Sequence, residues 1–168
     1  MSLSKDLTDS FKEKMAVNHP EDADLTFTIQ VLGTNVWPLK SLDMNFVIPK
    51  EILPTYNRFQ QYYQQKHSGR RLTWLWAYSK NELRSNYANQ KYIFMTSSFQ
   101  MAVLVQYNDY DSLTFEEIAT NTGIPQDLLK QVLAILTKAR VLLNDGEGEP
   151  YDLNPSELLF LRCDKNRF

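Results

Sequence analysis

The sequence predicts an α+β fold, in which a small, mostly antiparallel α/β sheet domain precedes a winged-helix domain of three helices. Two segments, residues 25–32 and 72–78, alternate their side chains with the period of a β-strand. Three helical patterns and a strand–loop–strand pattern follow within residues 98–153, which is the order of a winged helix. We expect four parts: the end of a helical bundle at 1–17, the sheet domain at 18–97, the winged helix at 98–155, and a segment returning to the sheet domain at 156–168.

The composition indicates a substantial core and little net charge. Hydrophobic residues make up 43% of the 168 residues and aromatic residues 12%. A net charge of −2 creates no diffuse field that would attract nucleic acid or an anionic membrane. Cys163 is the only cysteine, so no internal disulfide can form, and we expect a reducing, cytoplasmic and nuclear environment. No apolar run approaches the length of a membrane span, and Met1 to Leu3 carry no signal-peptide pattern.

The segment that carries two of the three tryptophans is predicted to be the central strand of the sheet. Leu72, Trp74, Trp76 and Tyr78 alternate with residues that are also apolar or small, so both faces of this strand should be covered. Gly69 supplies the turn between this strand and the helix before it.

Two further strands are predicted for the same sheet. Residues 25–32 alternate an apolar side with a side formed by Thr26, Thr28 and Gln30, which is typical of a half-exposed strand. Residues 91–96 are predicted to form a third strand, reached through a polar stretch and antiparallel to its neighbour.

The predicted helices are defined by apolar spacing and by their ends. Residues 4–15 carry a narrow apolar stripe, expected to dock on the rest of this chain or on a segment outside it, and a second helix runs from about Ile52 to His67. In the winged-helix part, Thr114 and Glu117 form a capping-box sequence, and the helix they begin stops at Gly123. Pro125 then occupies the first turn of the third helix.

Candidate catalytic and metal-binding residues are few. His19 and His67 have no nearby metal-ligating partner, although partners distant in sequence remain possible. Cys163 has no neighbouring histidine that would activate its thiol, and no glycine-rich loop could hold a phosphate. The sequence therefore predicts a protein that is not an enzyme, with no cofactor and no metal site.

Nucleic-acid binding through the winged helix is the alternative function. The third helix should expose Gln126, Asp127, Lys130, Gln131 and Lys138. Carboxylates at its first turn and in the wing, where phosphates would approach, argue against duplex binding, because affinity for DNA depends on cationic contacts. A winged helix that docks proteins is the favoured interpretation.

The edge of the predicted sheet is the favoured binding site. An unpaired strand edge offers a row of backbone donors and acceptors to another chain, which gains affinity from main-chain hydrogen bonds. An edge already covered by the chain's own segments is the competing interpretation. The candidate partner-binding residues are Thr26, Thr28, Gln30, Leu32, Trp74 and Trp76.

The blocks Phe27–Leu32 with Trp37-Pro38, His67-Ser-Gly-Arg-Arg-Leu-Thr-Trp74 and Phe99-Gln-Met-Ala102 resemble the C-terminal homology region of the cullin family. Within that family the chain is most similar to the cullin of Skp–cullin–F-box ubiquitin ligases. The resemblance implies a non-catalytic scaffold whose sheet receives the N-terminal strand of a RING-box protein. That partner would in turn recruit a ubiquitin-conjugating enzyme, and the remaining cullin segments would be further partners.

The resemblance also implies what lies outside this sequence. The helical repeats that carry an adaptor and the second winged helix, whose lysine receives a ubiquitin-like protein, have no counterpart here. We therefore assign the role of the modified lysine to no residue of this chain.

Overall fold

The computed structural model describes residues 2–22, 25–85, 91–145 and 158–161. Five helices and five short strands are present in these ranges, so the α+β class is confirmed. The helices are α1 (Ser2–Asn18), α2 (Leu53–Lys66), α3 (Ser98–Gln106), α4 (Phe115–Thr122) and α5 (Gln126–Lys138). The strands are β1 (Lys80–Arg84), β2 (Ile93–Ser97), β3 (Ser112–Thr114), β4 (Leu142–Asn144) and β5 (Leu158–Leu161). Across the described residues, no helix is both long enough and apolar enough to cross a membrane.

The chain divides into two compact units that differ from the predicted domains. The first unit comprises Met1–Lys40 and Lys50–Trp74, and the second comprises Ser41–Pro49 and Leu75–Phe168. Residues 41–49 join the second unit because the Val47 N–H donates to the Thr122 carbonyl at 2.8 Å, at the end of α4. The divisions after residues 40, 49 and 74 depend on such long-range contacts, which the sequence pattern does not show.

The core of the first unit lies between α1 and α2. Leu7 and Phe11 of α1 are buried against Phe59, Tyr62 and Tyr63 of α2. The ring centroids of Phe11 and Phe59 are 5.1 Å apart in an edge-to-face contact, which is a favourable arrangement for aromatic side chains. The narrow apolar stripe of α1 therefore docks on the rest of this chain.

The core of the second unit is built from α3, α4 and α5. Leu104, Ile118 and Leu133, one from each helix, are fully buried. The three strands that accompany these helices form one antiparallel sheet in the order β3-β5-β4. Three helices with a small sheet agree with the expected element order, and the winged-helix assignment stays a prediction.

Strand β5 is found in a different place from the one predicted for it. Residues 156–168 were expected to return to the sheet domain, but Leu158–Leu161 pairs with β3 on one side and β4 on the other. The predicted second wing strand at residues 151–153 lies outside the described residues. The short strands that precede α4 and follow α5 therefore pair through a third strand that comes later in the chain.

The local signals at the ends of α4 and after α2 are confirmed, whereas Pro125 precedes α5 as its N-cap and does not occupy the first turn predicted for it. The Thr114 hydroxyl accepts from the Glu117 N–H at 3.2 Å, and the Glu117 carboxylate accepts from the Thr114 N–H at 2.8 Å. Gly123 ends α4 in the left-handed conformation, at φ 65°. Gly69, at φ 80°, makes the turn after α2.

The predictions for the first sheet need correction. The third strand is confirmed as β2, but its antiparallel partner is β1, which forms from the polar residues expected to connect two strands. The prediction of a central strand around Trp74 and Trp76 is wrong, because residues 70–75 form no strand and Trp76–Tyr78 is a 3-10 helical turn. Residues 25–32 also form no strand ladder within the described part of the chain.

Candidate partner-binding segment

Residues 25–32 keep the side-chain alternation of a strand although they are not paired in a sheet. Phe27, Ile29 and Val31 are half-buried and pack against the core of the first unit. Their neighbours Thr26, Thr28, Gln30 and Leu32 are exposed. This is the pattern of an extended chain with one face on a core. We call residues 25–32 the edge segment.

Two hydroxyl groups of α1 hold one side of the edge segment. The Thr8 hydroxyl accepts from the Ile29 N–H at 3.2 Å and donates to the Ile29 carbonyl at 3.0 Å. The Ser4 hydroxyl likewise accepts from the Val31 N–H at 3.1 Å and donates to the Val31 carbonyl at 3.2 Å. Each hydroxyl thus replaces the N–H and C=O of a neighbouring strand, and we call Ser4 and Thr8 the hydroxyl clamp.

The spacing of the hydroxyl clamp explains why a helix can replace a strand here. Ser4 and Thr8 are one helical turn apart, about 6 Å along the axis. Ile29 and Val31 are two residues apart in an extended chain, which is about 6.6 Å. Because these two spacings are similar, the two hydroxyls can bond the backbone groups of Ile29 and Val31 at the same time.

The alternation has a consequence for the opposite side of the edge segment. In an extended chain, the backbone N–H and C=O groups of one residue point to one side of the chain, and those of the next residue point to the opposite side. Because Ile29 and Val31 bond to α1, the N–H and C=O groups of Thr28 and Gln30 are directed away from it. Within the described ranges, the backbone groups of Thr28 and Gln30 make no hydrogen bond.

Trp74 contributes to the same core as the edge segment. It is half-buried, with its ring centroid 4.4 Å from that of Tyr56 and 6.1 Å from that of Phe59. Burial raises the pKa of Tyr56, and the adjacent Trp74 side chain partly offsets that rise. Leu72 packs against this core as well. Trp74 thus supports the first unit, although it is not part of a strand.

The structure does not group Trp76 with the other candidate residues. Trp76 belongs to the second unit, where its ring centroid lies 5.1 Å from that of Phe46. Phe46 in turn contacts Phe99 at the start of α3. Of the six candidates, Thr26, Thr28, Gln30, Leu32 and Trp74 therefore lie in one unit and Trp76 lies in the other.

The hydroxyl clamp could not be predicted from the alternation of the edge segment. Serine and threonine four residues apart, beside the apolar stripe of α1, are the only signal that could have revealed it. That signal is ambiguous, because such hydroxyls often bond the carbonyl one turn earlier in their own helix. The Ser4 carbonyl lies 2.9 Å from the Thr8 hydroxyl oxygen, so the single hydroxyl proton of Thr8 is shared between the Ser4 and Ile29 carbonyls.

The surface considered for nucleic acid has the predicted composition. Residues Gln126, Asp127, Lys130, Gln131 and Lys138 of α5 are all exposed, and so is Asp145 after β4. An acidic residue thus lies in the first turn of the helix that would enter a groove, where it would oppose phosphate. The other wing carboxylates, Glu147 and Glu149, lie outside the described residues.

Comparison with known proteins shows one family. A family model described as the cullin alpha+beta domain matches residues 31–160. The chain is 40% identical over 156 residues to Cullin-1 of Schizosaccharomyces pombe and 39% identical over 148 residues to Cullin-1 of Dictyostelium discoideum, covering 89% and 86% of this chain. It is 33% identical over 151 residues to human Cullin-4A, covering 89% of this chain. These alignments span 20%, 19% and 20% of the respective relatives, so the chain matches about a fifth of their length.

Proposed function

The chain belongs to the cullin family, and we propose that it is a non-catalytic part of a ubiquitin-ligase scaffold that binds a RING-box protein. The RING-box protein adds a strand to the edge segment, on the side that faces away from α1. The bound partner then helps to position a ubiquitin-conjugating enzyme. The chain supplies a rigid binding surface and no reacting group.

One observation carries this proposal: the hydroxyl clamp satisfies only one side of the edge segment. A free strand edge binds another chain through main-chain hydrogen bonds, and alternate side chains give specificity. The clamp fixes the edge segment before the partner arrives, so less conformational entropy is lost on binding. The pairing side is that of Thr26, Thr28, Gln30 and Leu32.

The neighbouring side chains define the sequence that a guest strand should have. Phe27, Ile29 and Val31 line the face that packs on the core of the first unit. A guest strand beside them should place an apolar residue at every second position on that face. Thr28 and Gln30 are exposed and uncharged, so the other face of the guest needs no particular charge.

Proline and alanine substitutions at the same positions test main-chain pairing directly. Thr28→Pro and Gln30→Pro each remove one ladder donor and leave a guest carbonyl unpaired, which costs about 1–3 kcal/mol, or roughly 5- to 100-fold in affinity. Thr28→Ala and Gln30→Ala keep the N–H and should change the affinity for a RING-box protein by less than about threefold. Isothermal titration calorimetry with a purified RING-box protein measures all four.

Thermal unfolding of the free variants separates binding from folding. The N–H groups of Thr28 and Gln30 are not bonded within the described chain, so their proline variants should melt close to the wild type. Ile29→Pro removes an N–H that bonds to Thr8 and should melt earlier. Equal affinities for the proline and alanine variants would exclude strand pairing at this segment, and so would unchanged amide exchange of residues 25–32 on adding the partner.

A further inference from the structure

The hairpin formed by β1 and β2 breaks the usual rule for an exposed sheet face. A two-stranded sheet with one covered face normally turns polar side chains to solvent. Strand β1 obeys this rule, since Lys80, Glu82 and Arg84 are exposed. Strand β2 does not, because Ile93 and Met95 point outward and are 60% and 65% exposed. Exposed apolar side chains are informative where they form a contiguous patch, and Ile93 and Met95 are neighbours on one face of β2.

An open depression, whose exposed area is mostly apolar, extends from this face. It has a volume of about 530 Å³ and is lined by residues 77–80 and 95–97. Tyr78 itself is 57% exposed. The apolar surface therefore continues past the end of the hairpin, and a partner could insert a side chain there. We call the exposed side of β1 and β2, with this depression, the outer hairpin face.

The charges beside the apolar row are mostly positive. The strand register places Arg84 opposite Ile93, Glu82 opposite Met95, and Lys80 opposite Ser97. Lys91 is also exposed, just before β2. These four charged residues sum to +2, whereas the whole chain has a net charge of −2. In the part of the chain that the structure describes, none of the four forms an ion pair.

We propose that the outer hairpin face binds an acidic, amphipathic segment of another protein. Its apolar side chains cover Ile93 and Met95 and enter the depression beside Tyr78, while its carboxylates face Lys80 and Arg84. The charge excess argues against a second copy of this chain, because a face-to-face pair would bring two positive surfaces together. The surface belongs to the second unit, so this inference does not depend on the RING-box proposal.

Three labelled peptides of about ten residues distinguish charge from apolar contact. In the first, leucines recur along one face of a helix with glutamates directly beside them; the second has lysine in place of glutamate, and the third has serine in place of leucine. Fluorescence polarisation with the whole chain should show binding of the glutamate–leucine peptide, weakened by added salt. The other two peptides should bind at least about tenfold more weakly, because each lacks one of the two complementary features.

Two double variants locate the binding surface on the chain. Ile93→Thr with Met95→Thr removes the apolar row but keeps a good strand former, and Lys80→Glu with Arg84→Glu reverses the charges. Each pair should weaken binding of the glutamate–leucine peptide by at least about tenfold. The matched controls, both on α5, are Ile135→Thr, at a residue 54% exposed, and Lys130→Glu; neither should change the affinity. Circular dichroism checks that the strand variants stay folded.

Three results would overturn the inference. The lysine–leucine peptide could bind as tightly as the glutamate–leucine peptide, which would indicate an apolar surface without charge selection. The double variants could bind like the wild type, which would place the peptide elsewhere. The free chain could also form dimers that Ile93→Thr with Met95→Thr abolishes in sedimentation experiments, which would make a second copy the occupant.

Discussion

The hydroxyl clamp can be tested by replacing Thr8 with valine, which has nearly the same shape but forms no hydrogen bond. Thr8 is 6% exposed, so the loss is not simply replaced by bulk water. Its hydroxyl accepts from the Ile29 N–H, and its single proton is shared between the Ile29 and Ser4 carbonyls. Valine therefore removes one full and one shared hydrogen bond from the edge segment and leaves the contact between Ser4 and Val31 in place.

The expected loss is about 1–2 kcal/mol in the local free energy of opening of the edge segment, since each hydrogen bond contributes about 1 kcal/mol net and one of the two is shared with the Ser4 carbonyl. A loss of that size accelerates exchange of the Ile29 amide hydrogen about 5- to 30-fold, because 1.4 kcal/mol corresponds to a factor of ten. Hydrogen exchange followed by NMR resolves Ile29 from Val31. The amide of Val31 should change less, because Ser4 still holds it.

Thr8→Ser provides the control, because it keeps the hydroxyl and loses only a methyl group. It should cost about 1 kcal/mol in global stability through lost burial, yet leave the Ile29 amide protected. Equal acceleration at Ile29 in the serine and valine variants would refute the clamp. A valine variant that exchanges at Ile29 within about twofold of the wild type would refute it as well.

Two further substitutions test the packing of the second unit. Gly123→Ala should lower the melting temperature by about 4–8 °C or more, because the left-handed φ of 65° is strained for alanine and the added Cβ overlaps the Asn45 carbonyl. Gly69 has a φ of 80° but open space around it, so Gly69→Ala should lower the melting temperature by about half as much. Tyr107→Phe removes a bond of 3.1 Å to the Leu159 carbonyl and should cost about 1–2 kcal/mol near neutral pH. Burial raises the pKa of Tyr107 in the folded state. The stability that the protonated hydroxyl contributes is therefore complete below about pH 10 and is lost as the pH rises towards the pKa of the folded state. The difference in unfolding free energy between the wild type and the phenylalanine variant should be smaller at about pH 11 than at about pH 8. A gap that stays constant with pH would exclude Tyr107 as the buried titrating group.

The two tryptophans show where sequence alternation misleads. The period of a strand around Trp74 and Trp76 predicted one continuous central strand. In the structure, Trp74 packs against the rings of Tyr56 and Phe59, whereas Trp76 packs against the ring of Phe46. The chain crosses from one core to the other between these residues, and a period-2 pattern is equally compatible with a segment that serves two cores.

The edge segment shows what alternation can predict about the candidate site. It correctly gave the exposed positions Thr26, Thr28 and Gln30, because apolar and polar side chains separate on an extended chain wherever one face is covered. It did not show that the cover is a helix, or that Ser4 and Thr8 satisfy one side of the backbone. The identity of side chains does not show which backbone groups are hydrogen-bonded. Only the structure could therefore show which side of the edge segment bonds to α1 and which side does not.

The sequence alone determined the approximate positions of the helices, their buried faces and the cap of α4, because those depend on residues three or four positions apart. Thr114 with Glu117, and Gly123 after them, are examples in which the whole interaction lies within one local stretch. The tertiary structure decided which extended segments pair. Strand β5 reaches β3 across 46 residues, from Leu159 to Leu113, and Ile29 reaches Thr8 across 21. Such pairings depend on how the core of each unit brings distant backbone groups of that unit together, and that information is not contained in any local pattern.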